Sequence, residues 1–531
     1  MSAGETIELG RATLGIELGS TRIKACLVGE DPNVVLATGG FDWENQLADG
    51  LWTYSLENVW EGLRGAYAAL VAEVEAKYGF RPTNFAAIGI SAMMHGYLAF
   101  DANDELLVPF RTWRNTNTGP AAAELTELFG VNIPLRWSIA HVHQAVLDGE
   151  AHVPDVRFVT TLAGYVHWKL TGQKVLGVGD ASGMFPITEN TYDAGMVAAY
   201  DAHTSGSALA RPLTELLPEV LVAGQDAGSL TAEGAALLDS SGTLQPGIPL
   251  CPPEGDAGTG MVATNSIAPR TGNVSVGTSI FAMVVLEHAF TSVHHEIDLV
   301  TTPAGDGVAM VHCNNGASEL AEWVGTFARF AEAAGVEIPT GKVYDILFEE
   351  SLTGSPDAGG LLAYNHLAGE PITGNVEGRP LVVRTPDSDF TLANLMRAHL
   401  YGVYATMALG MKILEAENVA IDQMYAHGGV FRTPVVAQRI LAGALKVPVA
   451  VGQSASEGGS WGIAVLASYL AHANTRPLDQ YLTEHVFAGQ ELEIIHPEPE
   501  DVAGFAAYLE RYQAGITIQH AAVQALPVNE K

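Results

Sequence analysis

The sequence predicts an α/β protein built from two related halves, and three observations carry that expectation. The first is a glycine turn that occurs twice, in Gly15-Ile16-Glu17-Leu18-Gly19-Ser20-Thr21-Arg22-Ile23-Lys24-Ala25 and in Gly272-Asn273-Val274-Ser275-Val276-Gly277-Thr278-Ser279-Ile280-Phe281. Each places a Gly-hydroxyl-hydroxyl turn between β-branched apolar runs, which is how a tight hairpin is made. The second is composition: 531 residues, 48% hydrophobic and 16% charged, can bury a core large enough for more than one domain. The third is the alternation of strand-like and helix-like segments in both halves. Such a turn brings amide N–H groups and hydroxyls against phosphate oxygens. Either turn alone is equally an ordinary hairpin; their recurrence argues for a polyphosphate held between two lobes.

The elements follow in order. Thr13 to Leu18, Ile23 to Val28 and Val34 to Gly40 read as successive strands. From Leu56, the apolar positions Val59, Trp60, Leu63, Tyr67, Leu70, Val71, Val74 and Tyr78 recur at helical spacing behind Ser55, a suitable N-cap. Phe85 to Ile90 resumes as a strand and delivers Ser91-Ala92-Met93-Met94-His95-Gly96 to its end, where ligands meet open α/β sheets. The second half repeats the plan. Strands are expected around Asn273 to Val285 and Val308 to His312, and a long helix from about Leu392 to Leu414 with a stripe of Leu392, Met396, Leu400, Val403, Met407, Met411 and Leu414. A strand at Gln423 to Ala426 leads into His427-Gly428-Gly429-Val430-Phe431-Arg432-Thr433-Pro434. There Thr433 suits an N-cap and Pro434 the first helical position. The lobe boundary is expected near 260, giving domains 1–260 and 261–531. The Gly/Pro-rich stretch 354–380 reads as a surface loop or insertion.

A net charge of −34 argues against nucleic acid and anionic membranes as partners. Three dispersed cysteines, Cys26, Cys251 and Cys313, suggest neither disulfides nor a zinc site, and read as core residues. No apolar run reaches the roughly 18 residues of a membrane span, and Met1-Ser2-Ala3-Gly4-Glu5-Thr6 has no signal-peptide pattern. The expectation is a cytoplasmic protein.

Six motifs, taken in order, resemble the FGGY family of sugar kinases, in the ATPase fold shared with actin, hexokinase and the Hsp70 chaperones. They are the first turn, Met94-His95-Gly96, Asp180-Ala181-Ser182-Gly183, Glu254-Gly255-Asp256-Ala257-Gly258, the second turn, and His427-Gly428-Gly429. The resemblance runs from about Thr13 to about Leu470. Met94-His95-Gly96, the Asp180 segment and Tyr165-Val166-His167-Trp168-Lys169-Leu170-Thr171-Gly172 most resemble xylulokinases. It implies two ribonuclease-H-like lobes around a central cleft that closes over ATP, Mg²⁺ and a ketopentose or related sugar or polyol. Asp256 then takes the role of catalytic base, and Glu17 that of the Mg²⁺ residue, where the family has Asp. Ser20, Thr21 and Lys24 face the phosphates from the first lobe, and Gly277, Thr278 and Ser279 from the second. Gly428, Gly429 and Arg432 belong to the adenosine loop. Met94, His95, Trp113, Asn115 and Asp180 are the sugar-binding candidates. Relatives are commonly homodimers.

Each role has a plainer counterpart. Asp256 can cap the segment that follows, Glu17 can be structural, Lys24 can be a solvated strand residue and His95 a structural histidine. Thr112-Trp113-Arg114-Asn115-Thr116-Asn117 departs from the xylulokinase pattern, placing Asn115 and Asn117 where Asp and Arg are expected. An amide both donates and accepts, so the sugar is left open. Gly335 to Lys342 is one residue too long for a Walker A loop, and Val343 stands where Ser or Thr is required. Gly458-Gly459-Ser460-Trp461-Gly462 fits GxSxG, but a polar segment, Val451 to Glu457, enters it rather than a buried strand. His141-Val142-His143 and His294-His295-Glu296 lack the further spaced ligands of a metal site. Two rival functions share the fold, a chaperone-like or filament-forming ATPase and a sugar sensor without turnover. Sugar-stimulated ADP release and measured phosphorylation discriminate them.

Overall fold

The computed structural model describes residues 2–452, 458–490 and 492–527, and the chain divides into two compact units. Unit 1 comprises Met1–Ile267, Asp298–Val308 and Ala455–Gln490; unit 2 comprises Ala268–Ile297, Ala309–Ser454 and Glu491–Lys531. The first crossing thus falls just beyond the expected 260. Two later segments belong to unit 1 rather than to the second half of the chain.

In unit 1, β1 (Thr13–Leu18), β2 (Arg22–Val28), β3 (Val35–Asp42), β4 (Ala87–Ala92) and β5 (Glu254–Gly255) form a sheet in the order β5-β4-β1-β2-β3. β1 and β2 pair antiparallel, as do β2 and β3, while β4 runs parallel to both β1 and β5. Nearly every residue of β1 is buried, because helices cover both faces. On one side lies α1 (Leu56–Tyr78), capped by the Ser55 hydroxyl, which accepts from the Asn58 N–H, and ended by Gly79 in the left-handed region. On the other lies the helix Gly459–Tyr469, apolar almost all round. It approaches β1 so closely that a Cβ on Gly15 would stand 2.2 Å from the Ser460 carbonyl oxygen. An apolar helix of this kind needs a buried berth, which explains its return to unit 1. Ser460 is buried inside it rather than exposed on an elbow. Residues 453–457 of the polar segment before it lie outside the described residues.

Unit 2 repeats the scheme with β6 (Thr271–Val276), β7 (Ile280–Val285), β8 (Gly307–Cys313), β9 (Gln423–Gly428), β10 (Val449–Val451) and β11 (Glu493–Ile495), in a seven-stranded sheet of order β8-β7-β6-β9-β10-β11 with the strand Ile297–Thr301 at the edge beside β8. β6 is antiparallel to β7 and parallel to β9, as β1 is to β2 and β4. The long helix Leu392–Ala416 is capped by Thr391 and buries its expected stripe except Leu392, which is exposed in the first turn.

Two expectations are corrected here. The stretch 354–380 is not a plain surface loop, because Leu362–Tyr364 pairs with Leu381–Val383, and Asn365, His366, Glu370 and Asn375 are buried. Its glycines and prolines make turns between polar side chains, as where Asn375 Nδ2 donates to Thr373 Oγ1 at 2.9 Å. The helix after the His427 loop begins at Val436, two residues beyond Pro434, and Val435 precedes it in the left-handed region at φ 73°. Thr433 instead donates its hydroxyl to Asp345 Oδ1 at 3.0 Å. All three cysteines are buried thiols outside any disulfide. Among the described residues, no helix is long and apolar enough to cross a membrane.

Candidate active site

Register brings the unit 1 residues together. Leu18 on β1 pairs with Ala92 on β4, and Ala92 with Gly255 on β5, so three parallel strands end at one level. From that edge leave the turn Gly19-Ser20-Thr21, the loop Met93 to Gly96 and Asp256. Three sequence motifs thus become neighbours at the strand ends where α/β sheets bind ligands.

The Met94 N–H donates to Asp256 Oδ1 at 3.3 Å. Asp256 is solvent-accessible at the first residue of the helix Asp256–Ala263, yet the surrounding protein strips its carboxyl of enough water to raise it from the usual range to about 6, against the lowering effect of hydrogen bonds and of Arg136. A Cβ on Gly255 would stand 2.1 Å from Met94 Cγ and 3.2 Å from Asp180 Oδ1, so glycine here lets the Met94 side chain and Asp180 approach. Asp180 is fully buried. Its Oδ2 accepts from Thr161 Oγ1 at 2.6 Å, its Oδ1 has no hydrogen-bond partner, and burial, then the Asp256 charge, raises it to about 7.

His95 is buried with φ 69°, an uncommon conformation for a residue with a Cβ. Its Nδ1 donates to the Gly183 carbonyl at 3.1 Å, which assigns the proton to Nδ1 and leaves Nε2 the acceptor tautomer. The Met-His-Gly and Asp-Ala-Ser-Gly motifs therefore meet. Trp113 is half-buried against the hydrophobic core of this unit. Asn115 is buried, and its amide is engaged with backbone: Oδ1 accepts from the Trp52 N–H at 2.8 Å, while Nδ2 donates to the carbonyls of Trp52 at 2.8 Å and Thr112 at 3.0 Å. The side chain expected to face the sugar clasps two chain segments instead, because both of its donors are taken. Asn117 is exposed.

The first turn is braced from outside through its carbonyls. The Trp43 indole N–H donates to the Gly19 carbonyl at 2.7 Å, the Tyr54 hydroxyl to the Ser20 carbonyl at 2.6 Å, and the two rings stack at 4.2 Å. Thr21 is exposed. Glu17 and Lys24 are both half-buried and opposite each other in the β1–β2 register. A Cβ on residue 459 would stand 2.3 Å from Glu17 Oε1, so Gly459, at the start of its helix, makes the room that the longer carboxylate requires.

Sequence reasoning missed Glu254 as a working residue, although its motif was in view. It is buried, accepts from the N–H groups of Gly179 at 3.3 Å and Asp180 at 2.9 Å, and is raised by burial and then by Asp180 to about 8. It fixes the short helix Val178–Ala181 that carries Asp180. Arg136 was also missed. It pairs with the buried Asp298 and contributes positive charge toward Asp256. No motif signals it, because its neighbours come from distant segments.

Unit 2 has its own site. Val276 pairs with Gly428, so the turn Gly277-Thr278-Ser279 and the loop Gly428-Gly429 leave adjacent strand ends. The turn is tied down as Gly277 N–H donates to the Ser279 carbonyl at 2.9 Å and Gly316 N–H to the Thr278 carbonyl at 2.7 Å. Gly428 has φ 129°, and a Cβ there would stand 2.0 Å from the Val276 carbonyl oxygen. Beside these loops lies a cavity of about 600 Å³ whose walls include Gly277, Gly429, Arg432, Tyr344 and Phe348, a size suited to a nucleoside. Tyr344 and Phe348 are one turn apart on the helix Thr340–Ser351, with ring centroids 5.7 Å apart. The stretch rejected as a Walker A loop thus supplies a cavity wall as the start of a helix.

Residues 12–262 match the N-terminal domain, and residues 272–471 the C-terminal domain, of the FGGY family of carbohydrate kinases. A xylulose kinase of Haemophilus influenzae is 24% identical over 279 residues, 50% of this chain and 54% of that protein, so the match spans about half its length. A gluconokinase of Bacillus licheniformis is 24% identical over 485 residues, 86% of this chain and 87% of that protein. The crystal structure of a ligand-bound xylulose kinase from Lactobacillus acidophilus superposes with a TM-score of 0.76 at 16% identity, covering 97% of this chain and 98% of that one. The fold is that of these kinases.

Proposed function

Because the chain belongs to the FGGY family of carbohydrate kinases, we propose that it transfers the γ-phosphoryl group of ATP to a hydroxyl of a ketopentose or closely related neutral sugar or polyol. The observation that carries this reading is the Asp256 carboxyl, accessible at the strand-end edge, held by the Met94 N–H and raised to about 6. A base with such an affinity is ionised at neutral pH and still accepts a proton from an alcohol losing it to phosphoryl transfer.

In the proposed reaction the sugar rests against Met94, with the acceptor nitrogen of His95 taking a hydroxyl hydrogen. Asp256 removes the proton of the attacking hydroxyl. The adenosine occupies the unit 2 cavity, with Tyr344 and Phe348 as an apolar wall and the amides and hydroxyls of Gly277, Thr278 and Ser279 as phosphate donors. Ser20, Thr21 and Lys24 are the corresponding donors of unit 1. The Glu17 and Asp256 carboxylates are the hard oxygen donors that suit Mg²⁺, which accepts one or two carboxylates beside substrate phosphates, and the room that Gly459 leaves around Glu17 fits that role. Bound Mg²⁺ would neutralise charge on the transferring phosphoryl group.

Relatives named for xylulose and for gluconate both match. The site's electrostatics favour the neutral class. Asp256 is ionised at neutral pH and raises the proton affinity of Asp180 beside it, so it would repel an incoming carboxylate in the same way. A coupled ADP-release screen of ketopentoses, aldoses, polyols, glycerol and gluconate tests the reading. Turnover with a neutral acceptor, lost in Asp256→Asn while ATP binding persists, supports it. Gluconate as the preferred acceptor overturns the substrate class, and an absence of phosphorylation with every acceptor favours a sensor.

A further inference from the structure

We propose that unit 1 carries a site for a borderline transition-metal ion of the Zn²⁺ class, formed by Glu124, His143 and His203. The three come from three helices, Gly119–Phe129, Ser138–Leu147 and Ala194–His203. One ligand atom of each lies within 4.8 Å of those of the other two. Sequence spacing hid the site, because His141-Val142-His143 offers one usable histidine. His141 is enclosed in the core beside Tyr97 and faces no carboxylate in this group, whereas His143 turns toward Glu124.

The geometry suits ligation. His143 Nε2 is 3.6 Å from Glu124 Oε2, close to the separation of about 3.4 Å that two ligands at roughly 2.0–2.1 Å adopt around tetrahedral zinc. His203 Nε2 lies 2.5 Å from Glu124 Oε1, a hydrogen bond whose proton a metal ion would displace. His143 supplies the independent observation. Its side chain is 2% exposed, and neither ring nitrogen has a hydrogen-bond partner, an expensive state for a buried polar group. The Tyr200 ring packs edge-on against it at 5.6 Å, fixing its orientation. His203 and Glu124 are a third or more exposed, which gives an ion a path in and leaves a fourth position for water. Two imidazoles and one carboxylate select a Zn²⁺-class ion over Mg²⁺, which prefers oxygen donors.

Bound there, the ion would pin together helices that also reach the sugar-binding edge. Ser138, the first residue of the His143 helix, donates its hydroxyl to the Gly96 carbonyl at 2.6 Å, next to His95. Occupancy would stiffen the support of that loop.

The test is calorimetric titration of chelator-treated protein with Zn²⁺ in excess Mg²⁺, and with Co²⁺ monitored by its visible d–d bands. One equivalent is expected to bind to the wild type with tetrahedral-type Co²⁺ bands. His203→Gln, at a partly exposed position, and His143→Gln are each expected to weaken that binding by more than about 10- to 100-fold, the usual effect of losing even an outer-shell partner. Zn²⁺ should raise the Tm of the wild type more than that of either variant, with circular dichroism confirming that both are folded. An isotherm without a binding event, or one unchanged in both folded variants, overturns the site and leaves Glu124 and His203 as a surface ion pair.

Discussion

The raised carboxyl of Asp256 makes a quantitative claim about pH. An aspartate with its ordinary affinity stays ionised far below neutrality, and a base of that kind would leave turnover flat from pH 8 to pH 5. With the carboxyl raised to about 6, the ionised fraction falls from about nine-tenths at pH 7 to about one-tenth at pH 5, an approximately tenfold loss of kcat/KM. An unperturbed aspartate would lose under about a tenth over the same interval. The assay is ADP release at saturating MgATP and constant ionic strength, with the best acceptor from the screen. Because ATP phosphates also titrate, the discriminating perturbation is Arg136→Gln. Arg136 lowers the Asp256 affinity for its proton, so removing that charge moves the acid limb to higher pH, while the titration of MgATP stays where it was. Asp256→Asn should abolish turnover, by at least the about 10²- to 10⁴-fold that a positioned base contributes. A profile flat to pH 5, or a limb unmoved in Arg136→Gln, refutes the assignment of this carboxyl as the base.

Three further outcomes follow from the same geometry. The folded carboxyl of Asp180 holds its proton up to about pH 7, above the ordinary unfolded value near 4. Its contribution to stability is therefore fully present below about pH 4 and is lost as pH rises toward 7; urea unfolding of Asp180→Asn should show a flatter decline over that interval than the wild type. Gly459→Ala would press its Cβ against Glu17 Oε1, costing about 1–3 kcal/mol by overpacking, and the shorter side chain of Glu17→Asp should restore much of the lost Tm in the double variant; additive losses would show that the two do not share that space. Gly428→Ala meets a carbonyl oxygen in a conformation that side chains avoid, so a loss of about 1–3 kcal/mol and weaker ATP binding are expected in a melt and a nucleotide titration, with unchanged ATP affinity counting against the role of this loop.

Local pattern carried much of the fold and part of the site. Both glycine hairpins, the helix capped by Ser55 and the motifs containing Met94, His95 and Asp256 were legible because each depends on residues a few positions apart. What stayed hidden depends on distance. The helix Gly459–Tyr469 is apolar on nearly every side, and such a pattern says that it is buried without saying against what. Asn115 looked like a sugar ligand because its residue type changed at a binding position, yet its donors are taken by Trp52 and Thr112, and Trp52 lies on another segment. Val435 with positive φ moved a helix start that Thr433 and Pro434 had suggested. Glu124, His143 and His203 are near only because three helices pack together.

Under the proposed function, one scaffold used twice divides the reaction between the two units. In each, an antiparallel hairpin adjoins a parallel strand whose end releases a second loop, and the hairpin turn is held by hydrogen bonds to its carbonyls. On the proposed reading, the same topology sets a phosphate-facing turn in each unit. What distinguishes the units is the loop released beside the turn. In unit 1 it is the Met94 loop, and the next strand leads through Glu254 to Asp256, so that edge gathers carboxyls of raised proton affinity. In unit 2 it is Gly428-Gly429, followed by Arg432 and faced by Tyr344 and Phe348, which leaves space and apolar surface for a nucleoside. Placing an acid in the second loop would add charge where the phosphates need donors, and removing it from the first would take away the proton acceptor. The assignment of acceptor to unit 1 and nucleoside to unit 2 thus rests on loop chemistry rather than on fold.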